Sequence, residues 1–500
     1  MNLNFFGGVN EIGGNMILLE SQNTKIFLDF GVSHKRADNF FEFPLLQPTN
    51  LSDLLKTKLI PELDGLYRYN SFKSNYNDDG PISVTDHLEE RKYDAVLLSH
   101  AHMDHYGYIG LIREDIPIYS SKTTNKIVQL YERAGRTDFS VNSEHIEFRN
   151  IDYNTEERIG DFIVRRYNVD HSAYGASAFS IQAEKNVVYT GDFRLHGNNK
   201  AMSEDFLRIV QKEKTDYLLC EGTNLGRFKS ENENSTEEKI LNSEEAVKKK
   251  CVEIIDSEEN IIIYDGSQAD LERIKVMWEV AKKTGRTLIL DSKKAFLLLN
   301  INEDENLIDR LPQIGDFKIL LGRSKLASSA KLCKELTEDC PDFYLESFKV
   351  SRKNHEKELI ETDSILVDQF IWGPELRKKV FDKSNEYIIY TSNGPLILLH
   401  CKLNNIPILG TYIYGKSEPF TEEMAFTFTR LLNWLNLCNL KLEYAHTSGH
   451  CFPHDLKRAI ELIKPENVIP IHTEHPEEFE KIIPKGVKLI KPSLNNKITL

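Results

Sequence analysis

Ser99-His100-Ala101-His102-Met103-Asp104-His105 is the stretch that decides how this chain is read. It follows the apolar run Ala95-Val96-Leu97-Leu98, which predicts a buried strand. It precedes Tyr106-Gly107-Tyr108-Ile109-Gly110, where a helix is expected to start. In extended backbone, side chains two residues apart point the same way, so His100 and His102 can converge on one ion. Asp104 and His105 sit around the turn and can face a second. A lone histidine is usually a surface or satisfied core residue, but this crowding of donors on one strand-to-helix turn points to metal ligation.

Working outward, three further donors follow short β-like runs, where loops gather into sites. His171 comes after Phe162-Ile163-Val164, Asp192 ends Val187-Val188-Tyr189-Thr190-Gly191-Asp192, and His472 ends Val468-Ile469-Pro470-Ile471-His472. Imidazole and carboxylate donors suit zinc or manganese, and open coordination positions suit catalysis. Asp192 can bridge two ions, which in such pairs sit roughly 3.5–4 Å apart and clamp both oxygens of a phosphoryl displacement.

The H-x-H-x-D-H string, His171 and the Gly191-Asp192 pair resemble the metallo-β-lactamase superfamily. Asp29, closing Ile26-Phe27-Leu28-Asp29, is similar to that superfamily's supporting carboxylate; read alone, it is a strand-end residue capping a turn. Three more segments narrow the resemblance to the β-CASP nucleases and the ribonuclease J family. Leu218-Leu219-Cys220-Glu221-Gly222-Thr223 is similar to motif A, His446-Thr447-Ser448-Gly449-His450 to motif B, and Pro470-Ile471-His472-Thr473-Glu474 to motif C. The matches run in family order from Asp29 to His472. Thr473 stands where the family usually has glycine, and the interval from Asp29 to His100 is longer than the pattern expects. Residues 35–92, with the polar run Tyr69 to Gly80, look like an insertion near the site's rim or a solvated surface loop. The chain ends soon after motif C, so the C-terminal domain that ribonuclease J carries is not expected here.

The resemblance implies a fold: an α/β protein, a metallo-β-lactamase αββα sandwich interrupted by a Rossmann-like β-CASP domain. The expected boundaries are 1–222 for the first part of the sandwich, 223–440 for the insertion and 441–500 for the return segment. Residues after Glu221 fit this. Lys229 to Glu238 is polar and linker-like, and helix-like 236–256, strand 261–264, helix-like 269–284 and strand 287–290 then alternate. Strand–helix–strand order predicts a parallel sheet. Ser267-Gln268 is either a plain loop or one similar to the family's substrate-contacting loop. Helix-like 421–436 closes the insertion, and strand 442–445, helix 453–463 and strand 467–471 belong to the return. Gly7 to Asn15 is glycine-rich, but no strand–helix–strand unit follows it, so it reads as a strand-connecting loop.

The same resemblance implies roles. His100, His102, His171 and Asp192 hold one zinc, and Asp104, His105, Asp192 and His472 hold the other, with manganese or magnesium as alternatives. His450 acts as general acid, Glu221 orients and charges it, and Asp104 completes the catalytic set. His446, Ser448 and Gly449 are similar to phosphate-contacting residues; His446 and Ser448 also read as a polar turn before the helix after Pro453. In the β-CASP group a histidine at motif C accompanies RNA-processing members. The implied function is a zinc-dependent ribonuclease, a hydrolase cutting single-stranded RNA exo- or endonucleolytically. A single-stranded DNA nuclease of the same fold, or a partner subunit of an RNA-processing complex, is the alternative. A homodimer or a processing-complex partner is expected.

Composition bounds the rest. Five hundred residues allow two or three domains, and 40% apolar content is ordinary for a globular chain. No apolar run approaches a membrane span, and the start, Met1-Asn2-Leu3-Asn4, shows no basic segment ahead of a long apolar one. The seven cysteines form no C-x-x-C, which fits reduced thiols and a cytoplasmic location. The net charge of −14 opposes tight nucleic-acid binding, which draws on phosphate neutralisation. Bound cations invert that locally. Arg352-Lys353 and Arg377-Lys378-Lys379 either line a groove or are solvated faces.

Overall fold

The computed structural model describes the chain except residues 43–44, 69–89, 135–144, 228–239, 268–269, 302–310, 322–353, 363–366, 372, 404 and 418–421. The polar run from Tyr69 to Gly80, the whole linker-like run from Lys229 to Glu238, Gln268 and the Arg352-Lys353 pair fall outside the described residues. The chain divides into two compact units. One comprises residues 1–132, 136–234 and 449–500; the other comprises 133–135 and 235–448.

The first unit holds two seven-stranded sheets. In one, Lys497–Thr499 lies on the edge beside Asn2–Gly7, followed by Met16–Glu20, Lys25–Leu28, Ala95–Leu97, Ile118–Ser120 and Phe148–Asn150. In the other, the order is Lys488–Leu489, Asn467–Ile471, Tyr217–Glu221, Asn186–Tyr189, Ser177–Gln182, Phe162–Asn168 and Glu156–Ile159. Period-two alternation turns Leu3, Phe5, Phe162 and Val164 inward, and they meet Leu28, Leu97, Phe179, Leu219 and Ile471 in one core. On the far side of the second sheet, Phe206, Leu207 and Val210 of helix Lys200–Val210 pack with Leu456, Ile460 and Ile463 of helix Pro453–Ile463. Sheet on sheet with helices outside is a two-layer solution for burying one apolar face per sheet.

The second unit is an all-parallel sheet in the order Phe370–Ile371, Phe317–Leu320, Thr287–Asp291, Tyr387–Thr391, Ile261–Gly266, Gly410–Gly415 and Lys441–Tyr444. Helices such as Leu271–Lys283 and Glu422–Cys438 supply the crossovers that parallel pairing demands. Among the described residues, no helix is long and apolar enough to cross a membrane.

Two expectations from sequence change. The strand expected at 442–445 in the return segment instead joins the second unit's sheet: Lys441–Tyr444 pairs in parallel with Thr411–Tyr414. The helix expected from residue 236 begins at Glu244, because Ser243 adopts extended backbone and its hydroxyl accepts from Ala246 N–H, capping the first turn.

Candidate metal centre and active site

Each donor of the cluster leaves a strand of the first unit. Strand Ala95–Leu97 leads through Leu98 to His102, which has extended backbone and sits at the N-terminus of helix Met103–Tyr106. That helix starts earlier than the sequence predicts, so Asp104 and His105 ride on its single turn. His171 follows strand Phe162–Asn168, Asp192 follows Asn186–Tyr189 and His472 follows Asn467–Ile471. Asp29 and His472 both have positive φ, 55° and 52°. Non-glycine residues rarely take this conformation, and it clusters at functional sites.

The donors converge. His102 Nδ1 lies 3.0 Å from His100 Nε2 and 3.1 Å from His171 Nε2. Asp192 Oδ2 lies 3.7 Å from His100, 3.9 Å from His171, 3.1 Å from His105 and 3.6 Å from His472. Asp104 Oδ2 is 3.1 Å from His472 Nε2 and 3.9 Å from His105 Nε2. Two ligand-competent sets result, His100–His102–His171–Asp192 and Asp104–His105–His472, with Asp192 beside both. A third grouping joins Asp192, His450 and His472.

These residues fit a metal. Imidazole nitrogens about 3 Å apart, aimed at each other, must share a proton or a cation between their lone pairs. Asp192 Oδ1 is buried with no hydrogen-bond partner among the described residues. Burial, then charge on His105, His102 and His171, pushes His100 well below the ordinary histidine value. Burial, His102 and His450 do the same to His171, so both rings are neutral and can ligate. Burial opposes charge on Asp104 and Asp192, but His105 and His472 outweigh it and hold both carboxyls below their usual range. Burial also opposes charge on His105, yet Asp192, Asp29 and Asp104 raise it well above the usual value. That pull acts on positive charge, proton or metal alike.

A second layer orients the rings. His105 Nδ1 donates to Asp29 Oδ2 at 2.6 Å, leaving Nε2 toward Asp192. Asp29 also accepts from Ser99 N–H and Ser99 Oγ, both at 2.7 Å, and from the Tyr189 hydroxyl, which in turn accepts from Asn15 Nδ2 at 3.1 Å. His171 Nδ1 donates to the Gly449 carbonyl at 2.6 Å, and His472 Nδ1 meets Thr223 Oγ1 at 2.8 Å. Such partners set tautomer and ring direction. Ser99, Tyr189, Asn15 and Thr223 escape a reading of sequence alone. The one available signal is a tyrosine ending a buried strand, whose hydroxyl needs a partner.

His450 Nδ1 lies 3.5 Å from Glu221 Oε2 and 3.7 Å from Asp192 Oδ2. Burial disfavours its charge, but Asp192 and Glu221 outweigh burial and raise it above the usual value. Glu221 is fixed in turn by Thr223 N–H at 3.0 Å and Cys451 N–H at 3.1 Å. The glycine-rich loop wraps the same site. His472 N–H donates to the Gly8 carbonyl, Asn15 N–H donates to the Asp104 carbonyl, and Thr473 bridges to Glu11. Of the expected phosphate-contacting residues, Gly449 belongs to the first unit, whereas His446 and Ser448 belong to the second. There, His446 Nδ1 lies 3.2 Å from the Gly415 carbonyl.

Residues 81–226 match the family described as beta-lactamase superfamily domain, and residues 438–481 match the Zn-dependent metallo-hydrolase RNA specificity domain. Ribonuclease J 2 of Streptococcus pyogenes is 23% identical over 293 residues, covering 58% of this chain and 45% of its own. Ribonuclease J of Pyrococcus abyssi is 26% identical over 301 residues, covering 57% of this chain and 57% of its own. The chain thus spans about half the length of these curated relatives. A crystal structure of a protein of unknown function from Enterococcus faecalis V583 matches over 100% of this chain and 99% of its own, with a TM-score of 0.71 at 23% identity. That likeness shows the fold. The chain is similar to the metallo-β-lactamase-fold β-CASP nucleases, ribonuclease J among them.

Proposed function

We propose that this chain, similar to ribonuclease J, is a zinc-dependent ribonuclease that hydrolyses phosphodiester bonds of single-stranded RNA. The observation that carries the reading is the pair of donor sets meeting at Asp192, with His450 and Glu221 beside them. His100, His102, His171 and Asp192 hold one ion; Asp104, His105, His472 and the shared Asp192 hold the other. When bound, the metals supply positive charge against phosphate oxygens and acidity to a nucleophilic water.

The protein's own residues do the rest. Asp29 and Gly449 accept from the far nitrogens of His105 and His171 and keep the ligating nitrogens aimed inward. His450, whose charge Asp192 and Glu221 favour against burial, is placed to carry the proton that the leaving oxygen needs. Glu221, held by two backbone N–H groups, keeps that ring in place. RNA is the substrate favoured by His472 at motif C, by the match of residues 438–481 to an RNA specificity domain, and by the names of the relatives. Cys220, Cys251, Cys438 and Cys451 are buried thiols, which suits a reducing, cytoplasmic setting.

The test is purified protein with zinc or manganese and 5′-labelled RNA bearing triphosphate, monophosphate or hydroxyl ends, beside single-stranded DNA of the same sequence. Metal-dependent RNA cleavage, faster than on DNA, is expected. Equal or faster DNA cleavage turns the reading to the DNA nuclease. No hydrolysis of either, with metals bound, leaves the partner-subunit reading.

A further inference from the structure

Behind the donor cluster lies a buried ion pair that ligation does not use. Arg194 Nε donates to Asp170 Oδ1 at 3.2 Å, and both side chains are 1% exposed. The Arg194 backbone N–H also donates to the Asp170 carbonyl at 2.7 Å, and Asp170 N–H donates to Ser203 Oγ on helix Lys200–Val210 at 2.8 Å. Gly197 passes close by: a Cβ there would stand 2.3 Å from Asp170 Oδ2 and 2.5 Å from Arg194 Nε.

The positions of this pair in the chain give it a consequence. Asp170 directly precedes His171, and Arg194 follows Asp192 by two residues. The two loops that bring His171 and Asp192 into the first set are therefore tied twice, through backbone and through side chains. Folding stability alone does not call for such a pair. Burying two charges costs about as much as their attraction returns, and well-packed apolar residues often do as well. What apolar contact does not supply is a directed bond that resists sliding of one loop past the other.

We propose that Asp170 and Arg194 form a positioning clamp that sets the spacing of His171 and Asp192 and so preorganises the first metal set. This rests on the metal reading above. Because Asp192 also stands beside the second set, the clamp acts on the shared carboxylate.

The test compares wild type with Arg194→Lys and with the paired Asp170→Leu/Arg194→Met variant, which removes both charges. Three readouts apply: melting of the metal-free protein, zinc affinity by competition with a chelating dye, and the visible spectrum of the cobalt(II)-loaded protein. The paired variant is expected to melt near wild type yet bind zinc roughly 10–100-fold more weakly, the usual cost of losing an outer partner. Its cobalt spectrum should also be altered. Arg194→Lys keeps the charge and is expected to lose affinity by a smaller factor. Folded variants with wild-type zinc affinity and spectrum overturn the clamp alone. Should the paired variant not fold, an unchanged affinity in Arg194→Lys overturns it equally. Wild type that takes up no zinc overturns the metal reading itself, and the clamp with it.

Discussion

The Tyr189 hydroxyl lies 2.5 Å from Asp29 Oδ2, bonding across the two sheets to the carboxylate that orients His105. Burial, then the Asp29 charge, raises the phenol well above its usual value, so it remains a donor. Tyr189→Phe removes one of the donors on a buried carboxylate and strips Asn15 Nδ2 of its acceptor. The expected result is a loss of about 1–3 kcal/mol in denaturant unfolding and weaker metal binding at the His105 set. Wild-type values for both would show that Ser99 and His105 alone hold Asp29.

Gly13 has φ of 79°, and a Cβ there would stand 2.6 Å from Asp104 Oδ2. Gly285 has a similar φ of 69° but open space around it. Both alanine variants pay the left-handed strain, about 1–2 kcal/mol. Only Gly13→Ala also displaces a donor. Gly13→Ala should therefore lose metal from the second set while Gly285→Ala keeps both ions, as read by elemental analysis. Equal metal content in the two variants would mean that the glycine-rich loop yields rather than Asp104.

These two cases mark what the sequence makes legible. The donors could be read because each stands just past an apolar run, and chemistry plus spacing names them without knowing which strands pair. Tyr189, Thr223 and Arg194 could not be read that way. Their roles depend on the pairing of distant strands and on which of two alternating faces turns inward, as Tyr189 turns toward Asp29. The edge strand Lys441–Tyr444 failed for a related reason: its short run fits either sheet, and only its pairing with Thr411–Tyr414 assigns it to the second unit. Glycine count flagged the Gly7–Asn15 loop but not its closeness to Asp104, which is a tertiary fact.

Metal content follows from the two donor sets. Protein purified without chelator, then equilibrated with zinc and desalted, should carry close to two ions per chain on the reading above. His102→Ala removes a donor confined to the first set, and His472→Ala one from the second. Each should lower the content toward one ion. Asp192→Asn should affect both, because its carboxylate stands beside both sets. A single ion in wild type, unaffected by His472→Ala, would reduce the centre to its first set.

His450 decides between two chemistries. Its Nδ1 faces Glu221 and Asp192 at 3.5 and 3.7 Å, the setting of a charged general acid, yet it also groups with Asp192 and His472 as a ligand-competent trio. The two roles separate by experiment. If His450 is the acid, His450→Ala keeps its metals and loses about 10²–10⁴-fold in cleavage rate. A substrate whose leaving atom is sulfur needs no protonation, so that loss should largely vanish on it. The same substrate should rescue His472→Ala poorly, since there the metal set itself is damaged. Glu221→Gln should resemble a weaker His450→Ala, because it removes one of the two carboxylates that favour charge on the ring while sparing the donors of both sets. Loss of an ion in His450→Ala, or a rate defect that the sulfur substrate leaves unchanged, would assign His450 to the metal instead.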